Sequence, residues 1–131
     1  MATSRGYRDL IVYQKAFALT MKIFNITKTF PSEEKYSLVD QIRRSSRSVC
    51  SCLAEAYRKR MYEAYFSNKC SDADGENSET IVWLEFSLAS KYITQEKFSE
   101  LEQDAEEVGR MLNTMVEHPE KFLPKEKIKN T

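Results

Sequence analysis

Apolar residues recur at steps of three and four along nearly the whole chain, a period that predicts helices and leaves little room for strands. In a first segment, about Asp9 to Thr29, Leu10, Tyr13, Phe17 and Phe24 fall near one line and Val12, Ala16, Leu19, Ile23 and Ile26 on an adjacent one. That stripe is wider than a single partner helix requires. Phe30-Pro31-Ser32 breaks the pattern, because proline disfavours helix at the residue before it, and Ser32 is a candidate N-cap ahead of Glu33 and Glu34. A second segment, about Glu33 to Arg60, carries the seam Ile42, Ser46, Val49, Leu53 and Ala56. Opposite it runs a stripe of small and basic residues: Arg44, Arg47, Ser51, Ala54 and Arg58.

The third segment, about Tyr62 to Tyr92, aligns Tyr62, Phe66, Cys70, Ala73, Asn77, Thr80, Leu84 and Leu88. Gly75 sits midway and costs about 1 kcal/mol relative to alanine, so a kink or a change of partner is expected there. The fourth segment has Thr94 as a cap and the seam Phe98, Leu101, Ala105, Val108, Leu112 and Met115, and Pro119 ends it. Short connections between four long helices make sequential neighbours antiparallel. The expected fold is all-α: one up-down-up-down antiparallel four-helix bundle over residues 1–131, with helices at about 9–29, 33–60, 62–92 and 94–117 and a polar tail at 119–131.

Composition narrows the class without naming a function. Apolar residues are 41% and charged residues 31% of 131, the balance of a soluble globular chain. No apolar run approaches the roughly 20 residues that span a bilayer. The opening Met1-Ala2-Thr3-Ser4-Arg5 lacks a hydrophobic export core, so a cytoplasmic location and no membrane partner are expected. Cys50, Cys52 and Cys70 are odd in number, and Cys50 and Cys52 point about 200° apart on a helix, which suits free thiols and not a metal or redox pair.

A formal net charge of zero hides an asymmetry. Lys35 to Arg60 holds seven basic and two acidic residues, and Ser71 to Glu107 holds two basic and eleven acidic. Arg43, Arg44 and Arg47 cluster by helical spacing, and Arg58-Lys59-Arg60 lies beside Tyr62 and Tyr65. Two readings stay open: an anion-binding surface, or arginines that pair with the acidic helices within or between copies.

The motifs of common catalytic chemistry are absent. His118, the single histidine, follows Met115, so no Glu-x-x-His pair exists for a di-metal bundle. Around Gly75, a calcium-loop register puts Cys70 and Ile81 at ligand positions. Gly6, Gly75 and Gly109 are isolated and cradle no phosphate. The expectation is no catalytic residues, no metal and no cofactor.

The stretch Tyr7, Asp9, Leu10, Tyr13, Gln14, Lys15, Ala16, then Phe30-Pro31, Glu34, Tyr36-Ser37-Leu38, Gln41 to Ser46, Ser48-Val49 and Leu53-Ala54-Glu55, resembles the proteins encoded in intervening sequences of bacterial 23S rRNA genes. Trp83-Leu84-Glu85 and Tyr92-Ile93 extend the resemblance into the later helices. The family usually has Asn at Cys52 and Gly at Ala56. The resemblance implies a four-helix bundle assembled as a homopentameric ring, kinship with the accessory proteins of diversity-generating retroelements, and nucleic-acid association without catalytic residues.

Together these give the expectation of a non-enzymatic oligomer that binds RNA through Arg43, Arg44, Arg47, Arg58, Lys59 and Arg60. The alternative is a self-assembling scaffold with no nucleic-acid role. The two apolar lines of the first helix exceed what one bundle hides, which favours association of copies. Arg43, Arg44 and Arg47 are expected to meet Asp or Glu of the third or fourth helix in the next copy.

Overall fold

The seams bury as pairs of facing helices. In the computed structural model, which describes residues 3–124, four helices run α1 Ile11–Thr27, α2 Leu38–Arg58, α3 Glu63–Ala89 and α4 Gln95–Glu117. Each packs against the next and α4 closes against α1, so the bundle is all-α, up-down-up-down and antiparallel. Short 3-10 turns precede α1 (Gly6–Asp9), precede α2 (Ser32–Glu34) and follow α4 (Pro119–Lys121). Of the expected polar tail, residues 125–131 lie outside the described residues.

Two apolar clusters form the core. One gathers Val12, Val49, Leu53, Phe66, Leu112 and Met115 at one end, and the other gathers Leu19, Ile23, Ile42, Leu84, Phe98 and Leu101 at the opposite end. Between them lies a buried polar layer. Thr20 Oγ–H lies within hydrogen-bond reach of the Ala16 carbonyl at 2.8 Å and the Ser46 carbonyl at 3.0 Å, the Ser45 and Thr80 hydroxyls bond at 2.8 Å, and Asn77 Nδ2–H donates to the Ala105 carbonyl at 2.8 Å. Each such bond adds about 0.5–1.5 kcal/mol net, and leaving one partner unmade costs more. Among the described residues no buried side-chain nitrogen or oxygen lacks a partner. Gly109 lies against this layer, where a Cβ would stand a tight 3.3 Å from Asn77 Nδ2.

The helices are mostly shorter than the sequence expectation, and three of the shifted boundaries have a local reason. α2 starts at Leu38 and not at Glu33, and Ser32 caps nothing with its side chain. Glu34 does the work: its Oε1 accepts from Ser37 Oγ–H at 2.6 Å and from the Leu38 N–H at 3.3 Å, and its Oε2 accepts from Tyr92 O–H at 2.8 Å. α3 stops at Ala89 because Lys91 takes a left-handed conformation at φ 63°. The N–H of Tyr92 then reaches back to the Ser87 carbonyl and that of Lys91 to Leu88, which closes a Schellman motif. Leu10 is extended, so α1 begins at Ile11. The α3 helix runs unbroken through Gly75, whose Cβ position faces open space.

Within one chain the acidic face of α4 is met by lysines of α1. Lys22 Nζ lies 2.8 Å from Asp104 and 3.1 Å from Glu100, and Lys15 Nζ lies 2.9 Å from Glu107. These lysines hold the Glu100 and Glu107 carboxyls below their ordinary value of 4.5. For Glu34 the Ser37 hydroxyl, then the Tyr92 hydroxyl, do the same. A carboxyl lowered in the folded chain stabilises fully above its ordinary value, and that stability is lost as pH falls through the lowered one. The Glu34→Gln protein is therefore expected to melt below the unaltered chain at neutral pH. The gap should close as pH drops below 4.5. Thermal melts followed by circular dichroism across that range check this, and a gap independent of pH would contradict it.

Candidate nucleic-acid interface

The basic residues of α2 divide into two places. At mid-helix, Arg43 is tied to α1: its Nε–H donates to Thr27 Oγ1 at 2.9 Å, its Nη2–H to the Phe24 carbonyl at 3.2 Å, and its guanidinium lies 4.6 Å from the Phe24 ring centroid. Lys28 and Arg47 approach the same ring at 4.7 and 6.0 Å. Arg44 is exposed and lies 3.7 Å from Asp40 on its own helix. The structure thus leaves Arg44 and Arg47 at the surface and engages Arg43 in packing.

The second place is the end of the bundle where α2 finishes. There the 3-10 turn before α1 lies against the last turn of α2. Gly6 makes this possible. Its φ of +68° costs a side-chain-bearing residue about 1–2 kcal/mol. The space itself is open enough, since a Cβ there would meet Tyr57 at an ordinary contact distance of 3.8 Å, so the constraint is the backbone conformation. The turn brings Arg5 and Arg8 beside Arg58 and Arg60, around a concavity of about 530 Å³ that Tyr7 and Tyr57 also line.

The guanidiniums there are held in definite ways. Arg60 stacks over the Tyr57 ring at 4.0 Å and donates from Nη1 to the Tyr57 carbonyl at 3.0 Å. Arg8 lies 4.6 Å over the Tyr7 ring. The Arg5 N–H and Nε–H donate to the Asp9 carboxylate at 2.9 and 3.2 Å. The same bonds lower the Asp9 pKa, so it stays ionised. Among the described residues, Arg8, Arg58, Lys59 and Arg60 form no ion pair. Lys59 Nζ lies 5.6 Å over the Tyr65 ring, and Tyr62 and Tyr65 are exposed beside it. Four cations with no carboxylate partner repel one another, and a bound polyanion relieves that repulsion.

Sequence spacing singled out Arg58, Lys59 and Arg60 and missed Arg5, Tyr7 and Arg8. The usable signal was topological: α1 and α2 form an antiparallel hairpin, which places the residues before α1 beside the end of α2.

Other chemistry is sparse. Burial raises the Cys50, Cys52 and Cys70 thiols, Cys70 to about 12, which makes them poor nucleophiles. Among the described residues no three His, Cys, Asp or Glu side chains converge on a metal position. No described helix is long and apolar enough to cross a membrane. The apolar surplus of α1 is real and faces outward: Phe17 is 51% and Met21 42% exposed, and on α3 Val82 and Phe86 are 43% and 54% exposed.

Comparison with known proteins agrees with this architecture. Residues 8–114 match the family described as 23S rRNA-intervening sequence protein. A solved structure from Bacteroides thetaiotaomicron VPI-5482, a protein of unknown function from the S23 ribosomal protein family, superposes with a TM-score of 0.74 at 30% identity, covering 82% of this chain and 96% of that one. No curated protein matches the chain.

Proposed function

We propose, since the chain belongs to the 23S rRNA-intervening sequence protein family, that it is a non-enzymatic, cytoplasmic homo-oligomer that binds RNA at the basic end of each bundle. The observation that carries this reading is the gathering of Arg5, Arg8, Arg58 and Arg60, from segments some fifty residues apart, around one tyrosine-lined concavity. Cations supply sequence-independent affinity for phosphates, and exposed aromatic rings offer stacking faces to unpaired bases. Repeating the site around a ring, the pentamer that the sequence resemblance implies, raises avidity without any new contact.

The test is binding of a fluorescent RNA hairpin at low salt, followed by anisotropy. Binding that is lost on the exchanges Arg58→Glu and Arg60→Glu together supports the reading. Absence of binding by the unaltered chain leaves the scaffold reading, in which the oligomer acts without nucleic acid.

Assembly has its own support in the outward apolar residues of α1 and α3. A head-to-tail contact between unlike faces closes into a ring. In that ring Arg44 and Arg47 face the acidic α3 or α4 of the next copy. Phe17→Glu is expected to lower the light-scattering mass toward the 15.3 kDa of one chain while circular dichroism stays helical. An unchanged mass would contradict this surface.

A further inference from the structure

We propose that the concavity between the Gly6–Asp9 turn and the end of α2 is a pocket for one nucleotide unit, its phosphate on Arg8 and Arg58 and its base stacked on Arg60. The proposal rests on the RNA reading of this end and adds what the pocket itself selects. It is an open concavity of about 530 Å³, lined by exposed and half-buried residues and large enough to admit one nucleotide.

The arginines divide by how they are held. Arg60 is held at two points: its Cζ lies 4.0 Å over the Tyr57 ring centroid, and the Tyr57 carbonyl accepts from its Nη1–H at 3.0 Å. A guanidinium set over an aromatic ring offers a base a face on which to stack. Arg5 is already neutralised by Asp9, and its bonds to Asp9 and to the Arg8 carbonyl brace the turn. Arg8 rests on Tyr7, and Arg58 is exposed. Neither has a carboxylate partner among the described residues. These two are the donors left for a phosphate, which guanidiniums grip with paired N–H groups.

A phosphate and a base within one such pocket define a nucleotide, either free or as part of an RNA strand. The experiment is competition for a fluorescent single-stranded RNA by adenosine monophosphate, adenosine and inorganic phosphate, run on the unaltered chain, Arg58→Ala and Arg60→Lys. All three proteins are first checked for unchanged helicity.

Adenosine monophosphate is expected to displace the RNA at least tenfold more effectively than inorganic phosphate, and adenosine to displace it hardly at all. Arg58→Ala should weaken RNA and adenosine monophosphate together about tenfold. Arg60→Lys, which keeps the charge and removes the plane, should erase the advantage of adenosine monophosphate over phosphate. RNA held at full strength by both variants and not displaced by adenosine monophosphate overturns the pocket while leaving RNA binding elsewhere on the surface. Equal competition by phosphate overturns it in favour of a bare anion site. If no RNA binds, direct titration of adenosine monophosphate by calorimetry decides: binding keeps the pocket as a free-nucleotide site and removes the RNA reading, and no binding overturns both.

Discussion

Phe66→Ala is expected to destabilise the chain by about 3–5 kcal/mol, the usual cost of emptying a buried phenylalanine site. Phe66 sits in the first turn of α3 with no exposed surface, stacked on Phe122 at 5.9 Å and packed in the cluster that joins Val12, Leu53, Leu112 and Met115 from the other three helices. One side chain therefore ties all four helices together at the end that carries the basic concavity. A small domain is stable by about 5–15 kcal/mol in total, so the variant should lose much of that margin and melt roughly 10–20 °C lower. Phe86→Ala, with 54% of the residue already exposed on the same helix, should change chain stability by no more than about 0.5 kcal/mol. Urea unfolding of both variants, at concentrations where assembly is constant, makes the comparison. Similar losses in the two would contradict this division between core and outward face.

The division itself was only half legible in the sequence. The lines Ile42, Val49, Leu53, Ala56 on α2 and Phe98 to Met115 on α4 are buried as their spacing requires. Asn77, a polar residue in an apolar line, is buried where that line places it. On α1 the spacing gave two candidate lines and no means of ranking them. Val12, Ala16, Leu19 and Ile23 turn inward, while Phe17 stays out and Phe24 becomes the platform for Arg43. Helix ends were less readable, because they depend on tertiary bonds: Glu34 needs Tyr92 from the far end of α3, and Lys91 adopts a left-handed turn more usual for glycine.

The candidate site shows the same limit. Arg58, Lys59 and Arg60 stand out as a charge run, and their tyrosines are nearby in sequence. Arg5 and Arg8 carry no local signal. Only the hairpin of α1 and α2, with Gly6 turning the chain at positive φ, brings them to the same concavity. Conversely, Arg43 looks equivalent to Arg44 by spacing, yet Thr27 and Phe24 occupy its donors.

The second large effect is the salt dependence of RNA binding, which reads out how many cations meet phosphate. Each contact with single-stranded nucleic acid contributes a slope of about −0.7 in log affinity against log salt. Arg8, Arg58 and Lys59, cations without ion pairs among the described residues, thus give a slope of about −2 for a short RNA that reaches one protomer, with Arg60 set against the base. Affinity should fall roughly twentyfold between about 50 and 200 mM salt. Replacing Arg58 and Lys59 together by alanine should cut the slope to about a third, and Arg44→Ala should leave it unchanged.

That titration tests most directly whether the end of the bundle is the RNA-binding surface. A slope near −2 that drops to about −0.7 in the double variant alone is the expected result. A slope near zero, or one lowered by Arg44→Ala and untouched by the loss of Arg58 and Lys59, would contradict it.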